Sequence, residues 1–266
     1  MNYKDPVFIQ KIEEIVRSAG DDILMRHFGK PMTLHYKDGA GYATDADLDS
    51  EKYLIKSLGK LFPQASFCAE ESGDSGSGEY QWVIDPIDGT TNFANGIPYF
   101  CVSIALAHND KPVLGMIYSP VLGEFFHAVE GCGSFLNKKP IRVGNKKELK
   151  EAVLASVVGE YKKEARQEAL HSMLDLVGKV SSIRRMGALA LDLAYCACGR
   201  LDVIISKGFK WWDIAAGVII VEEAGGQVKC SDGGSLKNTN LFCIAANVDL
   251  QKKLKSFFDF EKNDLW

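Results

Sequence analysis

A chain of 266 residues, 46% hydrophobic and 25% charged, has the ordinary balance of a globular protein with a sizeable core. Its formal net charge of −4 argues against a nucleic-acid scaffold, and no apolar run reaches the roughly 18 residues that a bilayer crossing needs. The seven cysteines follow neither a disulfide-framework nor a zinc spacing, and the first residues show no secretory pattern, so a reducing cytoplasm is the expected setting.

In chain order, Asp5–Pro6 starts a helix whose Phe8, Ile12, Ile15, Val16, Ala19, Ile23 and Leu24 recur at helical spacing, ending near Gly29–Lys30–Pro31. Lys37 to Tyr42 (KDGAGY) is Gly-rich and reads as a mobile flap. A second helix is expected from about Leu48 to Leu61, closed by Pro63. Ser66 to Glu70 reads as a short strand carrying the acidic pair Glu70–Glu71, and Gly73 to Gly78 as a surface connector. Cys101 to Phe135 alternates apolar stretches with turn residues, as an antiparallel meander does. The basic stretch Lys138 to Lys150 is broken by Pro140, Ile141, Val143 and Glu148 and reads as a solvated loop. It sets the expected boundary between an N-terminal half, 1–144, and a C-terminal half, 145–266.

Beyond that loop the pattern becomes a βα alternation. Strands are expected at Val153 to Val158, Val180 to Arg184, Leu201 to Ser206 and Leu241 to Ala245. Helices are expected at Lys162 to Val177, Ala188 to Cys198, from Asp213, and at Asp249 to Phe260. The pattern by itself supports an α/β chain with two sheets.

Two segments carry chemistry. In Trp82 to Phe93 (WVIDPIDGTTNF), Val83 and Ile84 read as a buried strand and Pro86 keeps Asp85 extended. Gly89 lets the backbone turn, so Asp85 and Asp88 can project into one space. Oxygen ligands there suit a hard cation such as Mg²⁺. Thr90 and Thr91 can open a helix whose free N–H groups face an anion. In Trp212 to Gly217 (WDIAAG), Asp213 sits at a helix start, where the dipole favours its ionised form. Ala215, Ala216 and Gly217 are small enough for a close approach to another backbone. Nothing resembles a covalent nucleophile with its base, which leaves water as the expected nucleophile.

Together the two segments resemble the signatures of the inositol monophosphatase family, magnesium-dependent and lithium-sensitive phosphomonoesterases. The resemblance covers nearly the whole chain, including Glu70 and the EEAGG helix end. It implies a layered α/β fold, an αβαβα sandwich of the inositol monophosphatase and fructose bisphosphatase type, commonly a homodimer. It also implies two or three Mg²⁺ per site. Asp85 would bridge two of them, with Glu70 and the Ile87 carbonyl completing one position and Asp88 and Asp213 the other. Gly89 and Thr90 N–H groups would hold the phosphate. Asp45 would accept from the Thr90 hydroxyl, and Thr90 with Glu70 would orient the attacking water. Asp47 and Asp49 read as solvated first-turn acids. Lys37 is a candidate to reach the phosphate or the metal shell, and Arg184, Arg185 and Lys210 to neutralise substrate charge.

The alcohol-binding wall departs from the family pattern. Inositol-specific relatives carry a glutamate where this chain has Ser206, and bulky Leu189 stands where a small residue is common. The resemblance nevertheless makes inositol monophosphate the leading substrate. Fructose 1,6-bisphosphate, 3′-phosphoadenosine 5′-phosphate and histidinol phosphate remain alternatives, as does a role mainly as a protein- or RNA-complex partner.

Overall fold

Asp5 opens the first helix, α1 (Pro6–Ser18): its carboxylate accepts from the Val7 N–H at 3.0 Å, with Pro6 in the first turn. The computed structural model describes residues 2–37, 41–159, 176–230 and 242–257, together with 167, 170 and 174. Residues 38–40 of the stretch Lys37 to Tyr42, read above as a flap, and most of the helix expected from Lys162 to Val177 lie outside them. Beyond Ser18 the helix continues through a π-helical segment, Ala19–Leu24, to His27. The second helix, α2 (Asp45–Leu61), begins three residues earlier than expected. Thr44 and Asp47 form a capping box there, each side chain bonding the other's main chain, and this fixes the start.

A hairpin of β1 (Leu34–Tyr36) and β2 (Tyr42–Thr44) leads into α2. The large sheet has eight strands: β3 (Ser66–Ala69), β4 (Gly73–Ser75), β5 (Tyr80–Asp88), β6 (Cys101–His108), β7 (Lys111–Ser119), β8 (Glu124–Val129), β9 (Gly133–Leu136) and β10 (Lys139–Pro140). Their order is β10-β9-β8-β7-β6-β5-β3-β4, the expected meander extended by β5, β3 and β4. The segment read as a surface connector thus contributes an edge strand, β4. In this sheet β3 and β5 run parallel, which carries Glu70 to the same edge as Asp85 and Asp88.

The second sheet has the order β12-β11-β13-β15-β14, built from β11 (Val153–Val158), β12 (Ser182–Arg184), β13 (Val203–Lys207), β14 (Gln227–Cys230) and β15 (Phe242–Ala246). β14 has no counterpart among the expected strands. Helix α3 (Thr90–Ala94) is one short turn after β5. The helices α4 (Leu189–Ala197), α5 (Trp211–Glu223) and α6 (Val248–Phe257) follow in the second half.

Alternation along the strands decides the layering. Trp82, Ile84, Ile104, Leu106, Leu114 and Met116 face α1 and α2 in one core with Ile12, Val16, Leu54 and Leu58. Their neighbours Val83, Ala105 and Ile117 face the other way. There they share a core with Leu191, Ile214 and Ile219 of α4 and α5, and with Ala155, Ile204 and Ala245 of the second sheet. Val203, Ile205 and Ile244 then pack outward with Leu250 and Leu254 of α6. The result is an αβαβα stack with α4 and α5 between the sheets. Both faces of each sheet are covered, so its central strands read as nearly continuous apolar runs.

The close approach expected of the AAG stretch is realised. A side-chain carbon on Gly115 of β7 would lie 2.7 Å from the Ala216 carbonyl oxygen and 2.7 Å from the Ile219 methyl carbon. Gly115→Ala should force α5 off the sheet and cost about 1–3 kcal/mol. The measurement is a lowered urea unfolding midpoint at unchanged slope; an unaltered midpoint would show that α5 does not bear on β7 here.

Candidate active site

β5 is buried from residue 82 to residue 88, and its ladder with β6 slips at the motif: Asp85 opposes Ser103, whereas Asp88 opposes Cys101. Three steps on one strand match two on the other, a bulge around Pro86 that re-aims side chains at a strand end. Gly89 follows with φ +94°, a left-handed conformation, and space for a side chain is closed by the Tyr99 carbonyl oxygen at 3.1 Å and Ala188 at 3.2 Å. The chain then enters α3.

Asp85 is 2% exposed, and its Oδ1 accepts from the Ile87 N–H at 3.0 Å. Burial, then the charges of Glu70, Asp88 and Asp213, raise its carboxyl well above the usual range. Asp213, in the first turn of α5, accepts from the Lys210 N–H at 2.6 Å through Oδ2. Its carboxyl is also raised, by burial first and then by Glu70 and Asp88. The helix start therefore does not decide its titration as the sequence reading expected: burial and like charge outweigh the dipole. The two distant motifs do share one corner.

Asp88 is held from across the chain. Its Oδ1 accepts from Leu189 N–H at 3.1 Å, and its Oδ2 from Ala190 N–H at 2.6 Å and Leu191 N–H at 3.3 Å, the opening of α4. Burial and the charge of Asp192 push its carboxyl up to about 7 in spite of those three donors.

Glu70 follows β3, its N–H donating to the Ile84 carbonyl at 3.1 Å. The Lys37 ammonium lies 2.8 Å from both Glu70 Oε1 and Glu71 Oε1. Burial works to lower the Lys37 pKa, but the Glu70 and Glu71 carboxylates hold it above its usual value. From α2, buried Glu51 grips the next turn, accepting from Glu71 N–H at 2.8 Å and Ser72 N–H at 2.9 Å. Sequence reasoning missed Glu51, and nothing in its local pattern marks it.

One assignment is corrected. The Thr90 hydroxyl lies 3.3 Å from Asp47 Oδ1 and 3.1 Å from the Ile87 carbonyl oxygen, and makes no contact with Asp45. Asp45 sits at the surface, paired with His35 Nε2 at 2.7 Å and Thr33 N–H at 3.3 Å, bonds that lower its pKa. Asp47, fully buried, folds back onto Thr44 N–H at 2.7 Å and Thr44 Oγ1 at 2.6 Å. Desolvation outweighs those bonds and pushes its carboxyl up to about 7. The two acids stand two residues apart at a helix start, on different faces, and the capping box selects the inward one. The T-x-x-D spacing was the available signal. Asp49 is exposed as expected.

Ser206 is 3% exposed within β13, and Leu189 is 3% exposed in the middle core while its N–H serves Asp88. Arg184 and Arg185 are exposed at the end of β12, and Lys210 is exposed just before α5.

Among the described residues, no group of three or more His, Cys, Asp or Glu side chains is placed so that it could hold a metal ion. The donor set nevertheless fits a hard divalent cation. Every group is an oxygen, and buried carboxylates that raise one another's pKa favour any cation entering between them.

Residues 6–259 match the inositol monophosphatase family. The chain is 42% identical to the Nus factor SuhB of Xylella fastidiosa over 80% of this chain and 78% of that protein. It is 37% identical to inositol monophosphatase 2 of Solanum lycopersicum over 92% and 95%. Among solved structures, it is similar to the extragenic suppressor protein suhB of Bartonella henselae, with a TM-score of 0.87, 34% identity and coverage of 97% and 99%. It is also similar to the inositol monophosphatase of Anabaena, with a TM-score of 0.83, 35% identity and coverage of 95% of each chain. Site, fold and relatives agree: the chain belongs to the inositol monophosphatase family and is a phosphomonoester hydrolase.

Proposed function

We propose that the protein hydrolyses inositol monophosphate with Mg²⁺ held by Glu70, Asp85, the Ile87 carbonyl, Asp88 and Asp213. The observation that carries this reading is the electrostatic convergence of Glu70, Asp88 and Asp213 on buried Asp85 at the mouth of α3. When bound, two or three Mg²⁺ supply the Lewis-acid charge that acidifies water and polarises phosphoryl oxygens. The chain's own part is positioning. Gly89 and Thr90 N–H groups face the phosphate. The Thr90 hydroxyl lies between the Ile87 carbonyl at 3.1 Å and Asp47 Oδ1 at 3.3 Å. With that carbonyl engaged by a cation, its proton would go to Asp47, leaving the Thr90 oxygen to accept from the attacking water, with Glu70 as the second acceptor. Lys37 reaches the same corner and is read as a charge partner for Glu70 and Glu71. No helix among the described residues is long and apolar enough to cross a membrane. We read the working form as a cytoplasmic homodimer, which sedimentation checks.

The substrate test is a phosphate-release screen with Mg²⁺ over inositol monophosphate, fructose 1,6-bisphosphate, 3′-phosphoadenosine 5′-phosphate and histidinol phosphate. Inositol monophosphate should be hydrolysed, with activity abolished by EDTA and inhibited by lithium. Preference for another of the four would replace the substrate and keep the machinery; activity indifferent to EDTA would overturn the machinery. The likeness to the Nus factor SuhB supports a second reading, as a partner in a complex. Asp85→Asn should abolish hydrolysis, and a cellular role that survives it would favour that second reading.

Asp47→Asn should lower kcat by about 10²-fold, the low end for a lost acid–base or orienting group, while Asp45→Asn stays within about threefold. The reverse ranking would return the role to Asp45.

Proton linkage gives a further check. Asp47, Asp88 and Asp192 each have a carboxyl pushed up to about 7. Between about pH 4, where these groups ionise in the unfolded chain, and pH 7, the native state holds more protons, so stability falls as pH rises. In EDTA the unfolding midpoint should therefore drop from pH 5 to pH 8. Saturating Mg²⁺ should stabilise most at pH 8, because cation binding needs the ionised form of Asp88, the ligand among the three. Equal stabilisation at both values would contradict the linkage.

A further inference from the structure

The contacts that hold α4 against the first motif form a clasp. The Tyr99 hydroxyl donates to Asp192 Oδ1 at 2.7 Å, and the Tyr99 ring meets Tyr195 edge to face at 5.7 Å, both partners lying on α4. The Tyr99 carbonyl accepts from Asn92 Nδ2 at 2.7 Å, and the same amide nitrogen donates to the Met186 carbonyl at 2.8 Å, just before α4. Asn92 belongs to α3, the turn that follows Gly89. One tyrosine and one asparagine therefore join the segment carrying Asp88 to the helix opening that supplies its three N–H donors.

That geometry constrains Asp88. A carboxylate offers about four lone-pair directions. Residues 189–191 supply three donors and the Cys101 thiol lies 3.7 Å from Oδ2, so the direction left for a ligand is on Oδ1, beside the Leu189 N–H, and is set by where α4 begins. A shift of the α4 opening would turn Asp88 rather than merely loosen it. Asp192 is fully buried, and its second oxygen, Oδ2, has no partner, so the Tyr99 hydroxyl is its one hydrogen bond among the described residues. A buried carboxylate in an apolar helix opening is costly to keep for stability alone.

We infer that Tyr99, Asp192 and Asn92 are positioning residues that aim the Asp88 carboxylate and thereby set the protein's affinity for its divalent cation. The inference rests on Asp88 being a cation ligand, as proposed above. Outer partners of this kind typically change metal affinity 10- to 100-fold when removed.

The test is Mn²⁺ binding to the cation-free full-length protein without substrate, followed by loss of the free-ion spin-resonance signal. Tyr99→Phe and Asn92→Ala should each weaken Mn²⁺ about tenfold and raise the half-saturating Mg²⁺ for phosphate release equally. The half-saturating Mg²⁺ should move by a larger factor than kcat or KM measured at saturating Mg²⁺ does. Asp192→Ala should match Tyr99→Phe, whereas Asp192→Asn keeps an oxygen acceptor for the Tyr99 hydroxyl and should recover most of the loss. Unfolding midpoints in EDTA accompany each variant. Lowered midpoints with unchanged Mn²⁺ affinity in Tyr99→Phe and Asn92→Ala would make the clasp merely structural and overturn the inference. Asp88→Asn separates the two levels: unchanged Mn²⁺ binding in that variant would remove Asp88 as a ligand, and the clasp's role with it. Weakened binding in Asp88→Asn alone would leave the site and dismiss the clasp.

Discussion

Like charge brought into a buried corner is the constraint around which this molecule is arranged. Asp85 lies at the end of a strand covered on both faces, and Glu70, Asp88 and Asp213 all raise its pKa. In water, such repulsion is weak. In a corner shielded from solvent it is several times stronger, because the effective dielectric falls. The fold must therefore hold these groups together by other means until a cation relieves them.

It does so with main-chain donors. Asp85 accepts from Ile87, Asp213 from Lys210 and Asp47 from Thr44, each within two or three residues along the chain. These are local turn and cap geometries, which need no distant partner to form. Glu51 and Asp88 take donors from far along the chain, at residues 71–72 and 189–191 respectively. The short-range bonds aim each side chain on its own element. The two long-range sets bring the elements into register, which explains why a site assembled from separate segments is specific in position.

The same distinction separates what was legible in the sequence from what was not. Asp85, Asp88 and Asp213 stand in segments whose Pro, Gly and Ala spacing dictates local shape, and the structure puts all three in one corner. The two-sheet α/β character was legible too, because βα alternation and apolar runs report burial directly, whereas the αβαβα layering came from the family resemblance. Asp45 and Asp47 were misjudged because residue type cannot say which of two acids faces inward. That depends on a cap bond closing on Thr44. Glu51 and Asp192 were invisible for a different reason: their partners, at 71–72 and at Tyr99, are set by tertiary packing. The edge strand β4 and the strand β14 escaped notice because three or four residues containing Asp or Lys carry no clear alternation.

Close backbone contact links that packing to the chemistry. Gly89 lies against the Tyr99 carbonyl and Ala188, Gly115 against Ala216, and Gly217 against Leu193, where an added carbon would sit 2.6 Å from the leucine Cβ. The first contact sets how near the Asp88 turn comes to α4. The other two set how deeply α5, which carries Asp213, sinks between the sheets. A carboxylate displaced by an ångström no longer shares a cation with its neighbours, and misplacement on that scale can cost a catalytic site about 10²-fold. The small residues of the middle layer thus belong to the hydrolytic site as much as its acids do, although none of them contributes a polar side chain.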